Sequence, residues 1–241
     1  MIEIDDIFRN IYLYKFVKIL CNNGTNQVFS LDGAWGSGKT TFIKKLEILI
    51  NYYSFYDEGE QTINSNYINK NFILSEESIS ILEKFAKTEP YNFIKELVRT
   101  NNINAIYFNA WEHDDEDDPI VSIIYEIINR FDLLDTTKSI AGGNLAENLK
   151  LLVSLLSMGQ INLNNTITDY DIATSVRLKS RIKEAFENTF NDIINENCNK
   201  LVIFIDELDR CKPEYAINLL ERLHHYVNDD RIIFVLSTNI K

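Results

Sequence analysis

Proline is scarce in this chain, three in 241 residues, and glycine is little commoner at eight. That argues against long linkers and against a disordered composition. Cysteine is scarcer than a disulfide frame requires. Cys21, Cys198 and Cys211 are odd in number and show no CxxC spacing, so they read as reduced thiols in a cytoplasmic setting rather than as a disulfide frame or a zinc site. No stretch approaches the roughly 18 apolar residues of a membrane span; 151–163, "LLVSLLSMGQINL", is the nearest and is too short and too broken. The N-terminus, "MIEIDDIFRN", is acidic and lacks the apolar run after a basic start that a secretory signal needs. Basic charge is also short: 24 Lys and Arg face 36 Asp and Glu, for a net charge of −12. A surface built mainly to hold nucleic acid would need the opposite balance, a local basic groove aside. With these absences set aside, 45% hydrophobic and 25% charged residues describe an ordinary globular chain, of roughly one to two domains.

Local patterns alternate between strand and helix. Residues 5–20 space their apolar side chains as an amphipathic helix after an acidic start. "QVFSLDG" (27–33) is a short strand ending in glycine, and "TTFIKKLEILINYY" follows as a helix with Phe42, Leu46, Leu49 and Ile50 on one face. A polar, Asn-rich piece leads into two helices expected to part near Pro90. "NAIYFNAW" (104–111) reads as the next strand, followed by the acidic loop "EHDDEDDP" and a helix with Pro119 in its first turn. Residues 132–170 hold a Gly-Gly pair, an apolar helix and a polar segment. A long helix is expected over 175–197, then the apolar strand "KLVIFID", a helix begun by Pro213, and a last strand "RIIFVLSTN". Apolar strands alternating with helices predict an α/β fold, a parallel sheet sandwiched by helices.

Two stretches carry chemistry. Gly33-Ala34-Trp35-Gly36-Ser37-Gly38-Lys39-Thr40 meets the full Walker A pattern and sits between a strand and a helix, the order that a phosphate loop requires. Its glycines let backbone N–H groups, with the helix N-terminus through Thr41, converge on phosphate oxygens. Lys39 would reach the β- and γ-phosphates, and Thr40 would give a hydroxyl to Mg²⁺. The bland reading is a glycine turn before a lysine. The second stretch, "LVIFIDE" (201–207), is an apolar strand ending on carboxylates. Asp206 would hold Mg²⁺ and Glu207 would orient or deprotonate the attacking water, although acidic residues also cap strands at solvent. Two halves agreeing in one chain predict a nucleoside triphosphate site. A third element, "RIIFVLSTN", would bring Thr238 or Asn239 to the γ-phosphate as a polar sensor if its strand lies beside the Asp-bearing one.

Other classes are tested on the same residues. A GTPase would need an Asn-Lys-x-Asp base reader and a glycine after its metal-binding Asp; "DELD" lacks that glycine and "TNIK" is not the reader. "LSMGQ" (156–160) resembles the signature of ABC transporters, but no basic helix follows and Asp206 lies too far downstream. A P-loop kinase would need an Arg-rich lid that the sequence does not show. A scaffold that binds nucleotide without turnover stays open.

With "GAWGSGKTTF", "YFNAWEHDDEDDPIVSIIYEI" and "LVIFIDELDRCKPEYAINLLERL" in order, the chain resembles the KAP family of P-loop NTPases. The most specific marks are Trp35 inside the phosphate loop, the "FNAW" strand end and "DELDRC"; the usual family form has Asp where this chain has Glu207. The resemblance implies one additional-strand, RecA-like ATPase domain over 1–241, with inserted and mainly helical regions at 54–102 and 112–200. It implies ATP and Mg²⁺ as ligands and slow hydrolysis serving a regulatory switch, with self-association or an attached effector protein as the partner, in a setting such as antiphage defence. Several relatives insert membrane helices between the two Walker stretches, and this chain has none that could span. Relatives also continue past the sensor strand, so a truncation at Lys241 is among the readings left open. Lys39, Glu207 and Asn239 are the catalytic candidates, 33–41 the nucleotide-binding loop, and Thr40 with Asp206 the metal pair.

Trp35 and Trp111 are read as packing anchors in preference to base-stacking residues. The "EHDDEDD" run is read as a solvated acidic loop in preference to a metal site. His224 and His225 read as ordinary helix residues. Arg210 is either the partner of a nearby carboxylate or a contact to a neighbouring subunit, with Arg222 the weaker candidate of the same kind.

Overall fold

The computed structural model describes residues 4–22, 27–57, 62–63, 91–116, 118–131, 169–226 and 229–239, with Asn148, Leu151 and Ser154. The expected helix before Pro90, and the apolar helix and Asn-rich segment expected within 132–168, lie outside the described residues apart from Asn148, Leu151 and Ser154.

The chain enters through α1 (Ile4–Asn22) and β1 (Gln27–Asp32), then α2 (Lys39–Phe55). A two-residue antiparallel pairing of β2 (Tyr56–Asp57) with β3 (Thr62–Ile63) follows, then α3 (Tyr91–Asn101) and β4 (Ile103–Asn109). After a 3-10 turn, Ala110–His113, come α4 (Pro119–Phe131), α5 (Asp169–Asn197) and β5 (Lys200–Asp206). A second 3-10 turn, Leu208–Arg210, leads to α6 (Pro213–Tyr226) and β6 (Ile232–Thr238). The expected strand over 104–111 stops at Asn109, because the Asn109 side chain accepts the Trp111 N–H at 3.2 Å and turns the chain into the 3-10 helix. The long helix begins at Asp169, six residues before the expected 175.

Four strands form one parallel sheet in the order β1-β6-β5-β4. Strand β6, last in the described sequence, is thus inserted between the strand leading into the glycine loop and the strand ending on Asp206. A parallel sheet must be covered on both faces, and the apolar residues divide by strand alternation accordingly. Leu201, Ile203 and Ile205 of β5 face a core shared with Ile120 and Ile127 of α4, Phe186 and Phe190 of α5, and Leu219 of α6. Val202 and Phe204 face the other core, with Val17 and Leu20 of α1 and Val98 of α3. Helix α2 presents Ile43, Leu46, Leu49, Ile50 and Tyr53 to that second core, all fully buried and spaced as one helical stripe. Each such side chain contributes about 1.5–3 kcal/mol relative to exposure. Phe42, expected on this stripe, lies half-buried at its edge.

Among the described residues β4 is an edge strand of the sheet, and its outward backbone groups need partners. Asn51 of α2 supplies them: its Nδ2 donates to the Ala105 carbonyl and its Oδ1 accepts the Ala105 N–H, both at 2.9 Å and fully buried. At Ala105, one amide side chain therefore takes the place of a neighbouring strand's pairing. Close by, Glu47 of α2 and Arg130 of α4 approach to 3.7 Å. Burial pushes the Glu47 carboxyl up and the Arg130 guanidinium down from their ordinary ranges, and each charge opposes the other's shift.

Candidate functional site

All four strands of the parallel sheet end on the same edge, where Asp32 pairs in register with Thr238 and Asn109 with Asp206. Ligands of open parallel sheets bind beyond the carboxyl ends of the strands. Every residue singled out from the two Walker stretches lies at or next to this edge.

The 33–38 loop closes over the end of β1. Its N-terminal end is tied to the sheet by Gly33 N–H to the Thr238 carbonyl, 3.4 Å, and Ser37 N–H donates to the Ala34 carbonyl, 3.1 Å. Gly36 and Gly38 adopt φ of +76° and +87°, a region costly for any residue with a Cβ. A Cβ built at either would meet no atom within 4 Å, so backbone conformation alone makes these two positions glycine. Helix α2 begins at Lys39, and Phe42 N–H to the Gly38 carbonyl, 2.9 Å, starts its ladder. The N–H groups of the first turn, including Thr40 and Thr41, lack intrahelical acceptors and form the positive end of the helix dipole. The Lys39 ammonium bends back onto the Gly33 carbonyl at 2.5 Å and the Ala34 carbonyl at 3.4 Å.

The acidic half is built at the end of β5. Asp206 is 1% exposed, and each carboxylate oxygen accepts one hydrogen bond: Oδ1 from the Glu207 N–H at 3.0 Å, Oδ2 from the Tyr107 hydroxyl at 3.2 Å. Burial, then the Asp206 charge, pushes the Tyr107 phenol up, so it stays a donor. Glu207 has φ of +59°, a left-handed conformation rare outside glycine, Asn and Asp. That turn points the chain into the 3-10 segment carrying Asp209 and Arg210. Arg210 Nε then meets Glu207 Oε2 at 2.5 Å.

Sequence reading missed how Arg210 is held. Its guanidinium lies 5.7 Å from the centre of the Trp35 ring and 5.5 Å from that of Trp111, while Trp35 Nε1 donates to Asp209 Oδ2 at 2.8 Å. Such distances are in the range of cation–π contact. Trp35 and Trp111 are 67% and 51% exposed, which corrects their reading as packing anchors. The loop turns Trp35 outward over the sheet edge, and Asn109 does the same for Trp111 through the 3-10 turn. No spacing signal in the sequence joins positions 35, 111 and 210.

Arg210 and Arg222 both pair with carboxylates of their own chain, the latter with Asp118 at 3.0 Å. The acidic loop is engaged similarly: Asp114 and Asp115 bind Lys212, and Glu116 accepts from Ser122 and meets His113. Among the described residues no group of three or more His, Cys, Asp or Glu is placed to hold a metal ion. The donors at the sheet edge are of another kind, a Thr40 hydroxyl and the Asp206 carboxylate, hard oxygen ligands that suit Mg²⁺ with waters completing its shell. Asn239 follows β6 at the same edge, half-buried, and the Ser30 and Thr238 hydroxyls lie 3.0 Å apart beside it. Cys21, Cys198 and Cys211 are free thiols. No helix among the described residues is long and apolar enough to cross a membrane.

Compared with known proteins, residues 9–241 match the family model described as the KAP family P-loop domain. No curated protein matches the chain.

Proposed function

The chain belongs to the KAP family of P-loop domains, and from that premise we propose that it binds ATP with Mg²⁺ and hydrolyses it slowly as a switch for a partner or for its own assembly. The observation that carries the reading is the convergence of the 33–41 loop, the Asp206–Glu207 pair and the end of β6 on one edge of the sheet, with β6 between the other two. In this reading the loop N–H groups cradle the phosphates, and Lys39 leaves the Gly33 carbonyl for a phosphate oxygen, a stronger charge-assisted partner. Thr40 and Asp206 are the residues that would hold Mg²⁺, which when bound neutralises charge on the β- and γ-phosphates. Glu207 keeps Oε1 available to orient the attacking water while Arg210 fixes Oε2, the arrangement of a base steadied by a third group. Thr238 or Asn239 contributes a polar contact on the γ-phosphate side. A cis or trans arginine can be worth about 10³–10⁵ in rate, and the pairing of Arg210 and Arg222 with their own carboxylates supports a low intrinsic turnover. The wider setting in this proposal, antiphage defence or a related conflict system, rests on the resemblance of the motifs.

The test is ATP binding and hydrolysis with Mg²⁺ for the wild type, Lys39→Ala and Glu207→Gln. Lys39→Ala is expected to lose binding. Glu207→Gln is expected to bind normally and turn over about 10²–10⁴ times more slowly, the range for a lost general base. Unchanged turnover in Glu207→Gln would leave nucleotide binding standing but remove Glu207 from the chemistry.

A further inference from the structure

Helix α1 has no part in the Walker stretches, yet it forms one wall of a cleft that opens from them. The cleft has a volume of about 490 Å³, and Gly38, Lys39 and Thr41 form its inner end. Tyr12, Phe16 and Ile19 of α1 line one side; Phe42 and Lys45 of α2 line the other. Its size and mainly apolar wall are those of small-molecule sites.

The two faces of α1 differ, with Leu13 on the boundary between core and cleft. Leu13, Val17 and Leu20 are buried in the core to 1% exposure or less, as a structural helix requires. Tyr12 and Ile19, facing the cleft, remain 60% and 43% exposed. Between the walls, Phe16 stands edge-on to Phe42 at 5.9 Å and to Phe29 at 6.3 Å, forming an aromatic floor. Lys15 and Lys45 supply hydrogen-bond donors on the rim, where Lys15 stands over the Tyr12 ring at 5.6 Å. An aromatic floor with donor groups around it is complementary to a heteroaromatic base, whose faces stack and whose ring nitrogens accept.

Continuity with the phosphate loop decides the occupant. Thr41 lies one residue past the proposed Mg²⁺ ligand Thr40, and the cleft it lines draws on α1, the end of β1, the loop and α2, with no residue from β5 or β6. A nucleotide with its γ-phosphate toward Asp206 and Glu207 runs its phosphate chain along the loop toward Thr41, and the cleft begins there. We propose that this α1–α2 cleft is the nucleoside subsite, with the base against Phe16 and Phe42 and flanked by Tyr12 and Ile19. The proposal rests on the phosphate-loop reading above and assigns α1 to ligand recognition.

The experiment separates the two claims by comparing ATP with inorganic tripolyphosphate, which has the phosphates and no nucleoside, both with Mg²⁺ and measured by calorimetry. Wild type is expected to bind ATP more tightly than tripolyphosphate. Tyr12→Ala and Ile19→Glu alter exposed positions, so the fold is retained; circular dichroism checks this. Each is expected to weaken ATP on the order of tenfold and to leave tripolyphosphate unchanged, whereas Lys39→Ala weakens both. If wild type holds tripolyphosphate but both cleft variants bind ATP as wild type does, the subsite is overturned and the phosphate loop stands. Equal weakening of ATP and tripolyphosphate in the cleft variants also overturns it, since the residues then act through the loop. If wild type binds neither ligand, the phosphate-loop reading itself fails and the subsite with it.

Discussion

The two halves of the site are wired differently. In the phosphate loop most contacts join near neighbours, Lys39 to Gly33 and Ala34, Ser37 to Ala34 and Phe42 to Gly38, while Gly33 N–H to the Thr238 carbonyl and Trp35 Nε1 to Asp209 cross the chain. In the acidic half the local contacts, Glu207 N–H to Asp206 and Arg210 to Glu207, are joined by side-chain contacts that cross the chain: Tyr107 reaches Asp206 over 99 residues, and Trp35 reaches Asp209 over 174. The turn of the loop rests on its glycines and the helix behind it, with Gly33 N–H tying its start to the end of β6. The carboxylates acquire their geometry only when β4, β5 and the loop have already come together. Binding and turnover should therefore respond separately to mutation, and Trp35 is the side chain through which the loop touches the acidic half.

After Glu207→Gln, the sharpest break is expected at Asp206. Asp206→Asn keeps the shape but has one acceptor oxygen, for either the Tyr107 hydroxyl or the Glu207 N–H, and it removes the buried negative charge. Turnover should fall by about 10²–10³, the range for losing one electrostatic contact made in the transition state, while Mg²⁺-free binding of ATP to the loop stays near wild type. Equal loss of Mg²⁺-free binding would show that the halves are not separable. Next in size is Arg210→Ala, which releases Glu207 Oε2. A drop of about tenfold in kcat with KM unchanged is expected, and Arg210→Lys should not restore it, because an ammonium lacks the planar fork that stacks between two indoles. A rise in kcat would instead make the guanidinium a brake on Glu207. Trp35→Phe is smaller again. It keeps a ring under Arg210 but loses the indole N–H to Asp209, so kcat should fall a few-fold, consistent with about 0.5–1.5 kcal/mol for a hydrogen bond. Both tryptophans of the chain stand at this edge, so their emission should change on adding ATP and by less in this variant.

That division also decides what could be read from the sequence. The glycine loop, its lysine and the helix after it are one contiguous pattern, and the structure places them as the spacing implies. The apolar run ending on Asp206 identifies itself by composition, since a strand buried on both faces cannot alternate. The place of β6 was only a condition on the roles of Thr238 and Asn239, and its position between β1 and β5 comes from the structure. Three features lay beyond such reading. The Trp35–Arg210–Trp111 stack depends on which exposed loops meet above the sheet, and aromatic residues look the same whether they anchor a core or cover an arginine. Tyr107 became a partner of Asp206 through the register that pairs Asn109 with Asp206, and register is not written within either strand. Asn51 reads as a polar interruption in an apolar helix until the free edge of β4 is placed against it.

The smallest expected effect is the most local reporter of the acidic half. Cys211 follows Arg210, and its thiol donates to the Glu207 carbonyl at 3.5 Å. Burial, then the negative charges of Asp114, Asp209 and Glu207, pushes it up to about 11. A thiol reacts as thiolate, so a raised value suppresses reaction near pH 8, and reactivity should climb only as pH approaches 11. Cys21 and Cys198 are raised to about 11 and about 12 but are buried to 3% and 4% exposure, so Cys211 should be the first to alkylate in the folded protein. Asp209→Asn removes one of the three charges, lowers the Cys211 value and should speed its alkylation at pH 8 by a few-fold; Gly36→Ala, which disturbs only the loop, should not. Peptide-resolved mass spectrometry of iodoacetamide labelling measures both. Faster labelling in Gly36→Ala would mean that loop conformation reaches the carboxylates through Trp35, and the two halves would then be one mechanical unit.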